Sequence, residues 1–221
     1  MKKQDIFILN VIFFLSIILH CNVINGQMYE AVQNNDIEKI KTLNEKDPSL
    51  INKLNKYGES PLYIAAQLNK PDIITLLLKL GARVNVRNKN GEIPLHAASF
   101  MGYIECVQIL IDNGANVNAQ SHSGLLSEFP TPLWQAAIGM NPAAMPLLLN
   151  NGADPNVFSN NGDLLLYYIC LKNDAKLFKM LIEGGADIDK KNAQGYSSYD
   201  YAISSKNDTI VEIAKKIKSS K

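Results

Sequence analysis

The sequence predicts an all-α repeat solenoid of stacked helix–turn–helix units joined by short β-turn fingers, and three features of its spacing carry that reading. The pattern Gly-x-x-Pro-Leu at Gly58-Glu59-Ser60-Pro61-Leu62 returns 33 residues later at Gly91-Glu92-Ile93-Pro94-Leu95. A Gly-Ala pair recurs at Gly81-Ala82, Gly114-Ala115, Gly152-Ala153 and Gly185-Ala186, with steps of 33, 38 and 33. The glycines Gly91, Gly124, Gly162 and Gly195 lengthen at the same place, so one five-residue insertion explains the irregularity. A fixed period of this size marks a chain whose units bury their core only by stacking on one another.

One period, Gly91–Asn118, shows how each element arises. Gly91 suits the positive φ of a tight turn. Pro94 opens a first helix, where its fixed φ and missing N–H are no loss. The small pair Ala97-Ala98 lets the neighbouring unit approach. Gly102 breaks that helix, and a second is expected from about Ile104 to Ile111, with Ile104, Cys106, Val107, Ile109, Leu110 and Ile111 as a broad buried stripe. Gly114 fits the left-handed position that commonly ends a helix, and Asn116-Val117-Asn118 leads into the next finger. Neither helix can bury its apolar face alone.

These residues resemble the ankyrin repeat family. The resemblance is carried by Ser60-Pro61-Leu62-Tyr63-Ile64-Ala65-Ala66, Ile93-Pro94-Leu95-His96-Ala97-Ala98 and Thr131-Pro132-Leu133-Trp134-Gln135-Ala136-Ala137. The closers Gly81–Asn85, Gly114–Asn118 and Gly152–Asn156 join them, with Gly185-Ala186-Asp187-Ile188-Asp189 as a variant. It runs from residue 27 to residue 217, and departs from the family pattern at both ends and at Leu164–Cys170, which lacks the proline. The expected organisation is residues 27–55 as an N-terminal capping repeat, 56–189 as four internal repeats with the insertion at 125–129, and 190–221 as a C-terminal capping repeat with a basic tail. Caps are expected to be atypical because one of their faces meets water.

Residues 1–26 read as a cleaved signal peptide. Lys2 and Lys3 form a short basic head, Ile6–Leu19 is a mostly apolar stretch of 14 residues, and polar sequence follows to Gly26. That is the layout of a secretory leader. Fourteen residues are too few to span a hydrocarbon core of roughly 30 Å as a helix. Two other readings stay open: an uncleaved anchor, and a lipoprotein in which Cys21 of Ile18-Leu19-His20-Cys21 is lipidated. The expected location is therefore periplasmic or secreted, in a bacterium, with membrane attachment only through those two routes.

Removing residues 1–26 takes away Lys2, Lys3 and Asp5 and leaves a formal charge of 0. A neutral chain has no basic excess to exchange for counterions on nucleic acid, so DNA and RNA are not expected partners. Cys106 and Cys170 sit two repeats apart, roughly 20 Å for helix layers spaced 8–10 Å. A disulfide needs Cα atoms within about 7 Å, so both are expected as buried free thiols.

The residues offer little to an enzyme. His96 stands where the resemblance implies a histidine that bonds the turn and the adjacent repeat, although its usual threonine partner is Ile93. His122 is expected on an exposed finger with no second histidine or free thiol near it. Asp36, Asp72 and Asp174 recur near second-helix starts, where carboxylates favour the helix N-terminus. No nucleophile elbow, phosphate loop, metal motif or cofactor motif is present.

A binding surface has more to stand on. The resemblance implies a concave face lined by finger tips and by the free ends of the first helices. Two positions per repeat face it in register: Gln67-Leu68, Phe100-Met101, Ile138-Gly139 and Leu171-Lys172. Leu68, Phe100, Met101, Ile138 and Leu171 would form an apolar strip, or alternatively fill core between repeats. Large contiguous apolar patches on monomers usually serve an interaction. Tyr57 and His122 would stand at its polar rim. The insertion brings Leu125, Leu126 and Phe129, with Trp134 just after it as a possible anchor; the alternative is that Phe129 and Trp134 pack together to pin the loop. The expected function is a non-enzymatic, monomeric protein-binding module outside the cytoplasm, with an immunity or inhibitor protein for one toxin or enzyme, or a tethered scaffold, as alternatives.

Overall fold

The computed structural model describes residues 26–121, 130–139 and 142–219. The signal peptide, His122 and the insertion with Leu125, Leu126 and Phe129 lie outside the described residues. Helices follow in pairs: α1 (26–33) with α2 (Ile37–Lys46), α3 (Pro61–Gln67) with α4 (Pro71–Lys79), and α5 (Pro94–Met101) with α6 (Ile104–Asp112). Then come α7 (Pro132–Ile138) with α8 (Met145–Asn150), α9 (Leu165–Lys172) with α10 (Ala175–Glu183), and α11 (Ser198–Ile203) with α12 (Asp208–Ser219). First helices stack on first helices, α3 on α5, α5 on α7 and α9 on α11; second helices do likewise, α4 on α6, α6 on α8 and α10 on α12. Among the described residues no helix is long and apolar enough to cross a membrane.

The core is a column repeated from unit to unit. Leu77, Leu110, Leu148 and Leu181 occupy one register position of the second helices and are fully buried. Ile73, Cys106, Leu177 and Ile210 share another, one turn earlier. Ile104, expected in this stripe, instead stands exposed at the first turn of α6. Cys106 and Cys170 are both buried free thiols, as expected.

The helix starts follow the sequence closely. Ser60 and Thr131 accept the backbone N–H of Tyr63 and Trp134, with proline at the first helical position after each. Asp36 and Asp174 cap α2 and α10 in the same way. Gly102 ends α5 in the left-handed region at φ 71°, and Asn35, Asn69 and Asn173 fill the equivalent place at 61°, 55° and 59°. Asparagine tolerates that conformation better than other side chains, so the break survives without glycine. Gly139 ends α7 for a different reason. A Cβ there would lie 2.1 Å from the Phe100 carbonyl oxygen, so only glycine lets α7 come this close to α5.

Along one edge the units are tied by an asparagine ladder. Asn52, Asn85, Asn118 and Asn156 each donate Nδ2–H to the carbonyl of Gly81, Gly114, Gly152 and Gly185 in the following unit, at 2.9–3.0 Å. Their Oδ1 atoms accept the N–H of Arg83, Asn116, Asp154 and Asp187, each at 2.8 Å. At the next position the rung is Asp189, whose carboxylate pairs with Lys218 of α12.

Candidate functional site

A second edge is formed by the first helices and by the fingers between them. One column there holds the frame. In successive units it carries Tyr29, Tyr63, His96 and Trp134, and each reaches into the finger that follows. Tyr29 donates its hydroxyl to the Glu59 carbonyl at 2.9 Å, and Tyr63 donates to the Glu92 carboxylate at 3.0 Å. His96 accepts the Ile93 N–H on Nδ1 at 3.2 Å, and its Nε2 meets the Pro130 carbonyl at 3.1 Å. That pairing assigns the proton to Nε2. The imidazole thus satisfies the Ile93 N–H at the start of α5, where Ile93 offers no side-chain cap, and joins two units as well. Burial holds His96 below the ordinary histidine range, against a smaller opposing pull from the Pro130 carbonyl.

Trp134 corrects an expectation. It is 1 % exposed, its Nε1–H donates to the Val157 carbonyl at 3.0 Å, and its ring meets that of Tyr168 with centroids 5.9 Å apart. The indole is a rung of this internal column, with its polar atom satisfied inside the molecule. It presents no free anchor on the surface.

The residues one to two positions beyond the small pair behave differently. Leu68 is 40 % and Leu171 58 % exposed; Phe100 and Met101 are half-buried at the end of α5. Ile138 is also half-buried but rests against the core, so the strip is interrupted at α7. Tyr57 stands at a finger tip, 58 % exposed, with the Lys56 ammonium 4.9 Å from its ring centre. Of the expected surface residues that are described, Trp134 is therefore withdrawn and Ile138 sits deepest.

Clefts open between consecutive first helices beside these residues. The one between α3 and α5 has a volume of about 380 Å³ and is lined by Phe100, Met101, Gln67, His96 and Glu92 among others. A second, of about 310 Å³, lies between α7 and α9 beside Ile138 and Tyr168. A third, of about 300 Å³, lies between α9 and α11 beside Leu171 and Tyr201. The sequence reading missed the aromatic stack that borders this last cleft. Tyr167 and Tyr196 meet Tyr201 with centroids 4.2 and 5.7 Å apart. It also missed the exposed Ile203. A tyrosine-rich window at 196–201 was the available signal.

The only histidine of this edge among the described residues is neutral and has both ring nitrogens engaged. The thiols of Cys106 and Cys170 are pushed up by burial, to about 11 and about 12, which keeps them protonated and unreactive. Among the described residues no group of three or more histidine, cysteine, aspartate or glutamate side chains converges on one point.

Comparison with known proteins agrees with this architecture. A family model described as ankyrin repeats (3 copies) matches residues 28–121 and again 131–218. An ANK repeat-containing protein of Caenorhabditis elegans, nipk-1, is 35% identical over 63 residues, and the match spans 10% of that protein's length. Among solved structures, the ankyrin repeat domain of Bcl-3, of the IkappaB family, superposes with a TM-score of 0.76 at 21% identity, over 86% of this chain and 85% of that one. A chain from the complex of a predatory endopeptidase of Bdellovibrio bacteriovorus with an immunity protein gives a TM-score of 0.71 at 26% identity, over 86% of this chain and 97% of that one. The chain belongs to the ankyrin repeat family, and its solenoid is a protein-binding module.

Proposed function

We propose that this protein is exported and, outside the cytoplasm, binds one partner protein along the cleft edge of its solenoid without performing catalysis. The observation that carries this reading is the exposure of Leu68 and Leu171, with half-buried Phe100 and Met101 between them, at matching helix ends beside the clefts. The core closes without them, so their apolar surface is kept for something else. Export is supported by the leader-like sequence of residues 1–26. Cleavage after Gly26 would remove the leader and keep Met28, which is buried in the first helical pair.

A narrower reading is favoured by one comparison. The neighbour from the endopeptidase–immunity protein complex matches over nearly the whole of its own length. An inhibitor that holds one enzyme of the envelope in check is therefore the partner relation we put first within the binding class.

The test begins with intact mass and fractionation, which should give a mature chain starting at Gln27 in the envelope or the medium. A full-length cytoplasmic species would remove the export reading, and a lipid adduct on Cys21 would replace it with a tethered form. Mature protein should then capture a partner from its own envelope and suppress that partner's activity. Phe100→Ser and Leu171→Ser should melt within a few degrees of the parent, yet weaken capture by about 2 kcal/mol or more, as for interface anchors. Unchanged affinity in both variants would place the partner elsewhere.

A further inference from the structure

Resting on that reading, we propose that the cleft between α3 and α5 takes a basic side chain, arginine or lysine, offered by a protruding loop of the partner. Its aliphatic stem would lie along Phe100 and Met101, and its cationic head would meet Glu92.

The cleft has the two parts such a side chain needs. Its walls at Phe100 and Met101 are apolar and half-open to water. Arginine and lysine cover surfaces of that kind with their methylene stems while the head stays with a polar partner. The Glu92 side chain, partly buried, lines the same cleft. Its Oε2 accepts the Tyr63 hydroxyl at 3.0 Å and the Asn88 Nδ2–H at 2.8 Å. Its backbone N–H donates to Asn88 Oδ1 at 3.0 Å. Both partners are neutral, and both of these bonds fall on Oε2.

What the carboxylate lacks is a counter-charge. Among the described residues no lysine or arginine forms an ion pair with Glu92. Arg87 lies close to this region, but its Nη1 donates to the carbonyls of Gly91 and Gln120. His96, which lines the same cleft, is held neutral and bonded to Pro130. A carboxylate pre-oriented by two donors, flanked by an apolar wall and without a cation, is complementary to an incoming guanidinium or ammonium. Charge-assisted hydrogen bonds of this kind are about twice as strong as neutral ones. A guanidinium can donate an N–H to the carboxylate and lay its plane on an aromatic face such as that of Phe100, which lines the same cleft.

The probes are N-acetyl-arginine methylamide and its neutral isostere, the citrulline analogue, titrated against the mature protein with the Met101 methyl observed by NMR. The arginine probe should shift that methyl saturably. Citrulline should bind about tenfold more weakly, the ratio expected from one charged hydrogen bond. Glu92→Gln keeps an acceptor for Tyr63 and Asn88 and should erase the difference between probes. Phe100→Ala, read at the same Met101 methyl, should weaken both alike. Equal binding of the two probes, an unchanged ratio in Glu92→Gln, or shifts that never saturate would each overturn the proposal. A partner still captured in full by Glu92→Gln would keep the binding function and remove this inference. A cleft that discriminates arginine in a protein with no partner would do the reverse.

Discussion

The two long edges of this solenoid are made on opposite terms. Along one, Asn52, Asn85, Asn118 and Asn156 repeat the same pair of hydrogen bonds to the next unit, with distances that vary by only 0.1 Å. Along the other, equivalent helix ends carry Leu68, Met101 and Lys172, no two alike, while Gly139 at the fourth is held by its contact with Phe100. The first edge fixes the spacing between units with a contact each repeat brings for itself. The exposed helix ends of the second are then free to change, while the column from Tyr29 to Trp134 stays with the frame. The division explains why a constant frame can carry changing surfaces.

Three perturbations test that division, in decreasing order of expected effect. Trp134 lies on the variable edge in sequence but belongs to the frame by burial. Trp134→Ala should lose about 3–5 kcal/mol of stability, as for other buried tryptophans, measured by denaturant unfolding. A loss near zero would return the indole to the surface. Asn118→Ala removes one rung, two hydrogen bonds at an exposed edge, and should cost about 1–2 kcal/mol. The effect should be larger than that of Leu171→Ser, and the reverse order would invert the assignment of the two edges. The smallest effect is a pH dependence at His96. Burial depresses its folded pKa, so the unfolded chain binds the extra proton first. Stability should therefore be complete above about pH 6.5, the unfolded value, and decline as pH falls below it. His96→Gln should melt lower at neutral pH but flatten the slope between pH 7 and 5. An equal slope in both proteins would move the titration to another group.

Most of the frame was legible because it rests on short-range chemistry. Pro94 at a first helical position, Gly114 at positive φ and Asp36 and Asp174 as caps each follow from local backbone rules. The 33-residue spacing then placed those pieces in register. Trp134 was not legible, because an indole serves equally as a surface anchor or as an internal donor. What decides is the Val157 carbonyl, 23 residues away, and only the stacking of units brings it within 3.0 Å. The same holds for Glu92. In sequence it is one acid in a loop, and its meaning depends on Tyr63, 29 residues earlier. The asparagines closing Gly81–Asn85 and Gly114–Asn118 were visible as a motif. Their bond partners lie one unit further on, and their role as rungs was not visible.

The way the ladder stops bears on how such a chain can change in length. Each rung from Asn52 to Asn156 is a neutral amide that meets a backbone carbonyl and an N–H, groups any copied unit would present again. A duplication or loss of one unit within that span would restore the same contact at the new junction. Asp189 is different, because its acceptor-only carboxylate is matched to Lys218 on the closing helix, whose ammonium also lies 5.1 Å from the Tyr199 ring centre. A unit added beyond it would meet a carboxylate where a donor is needed. The array can therefore grow or shrink from its middle, while its C-terminal end is written in charge.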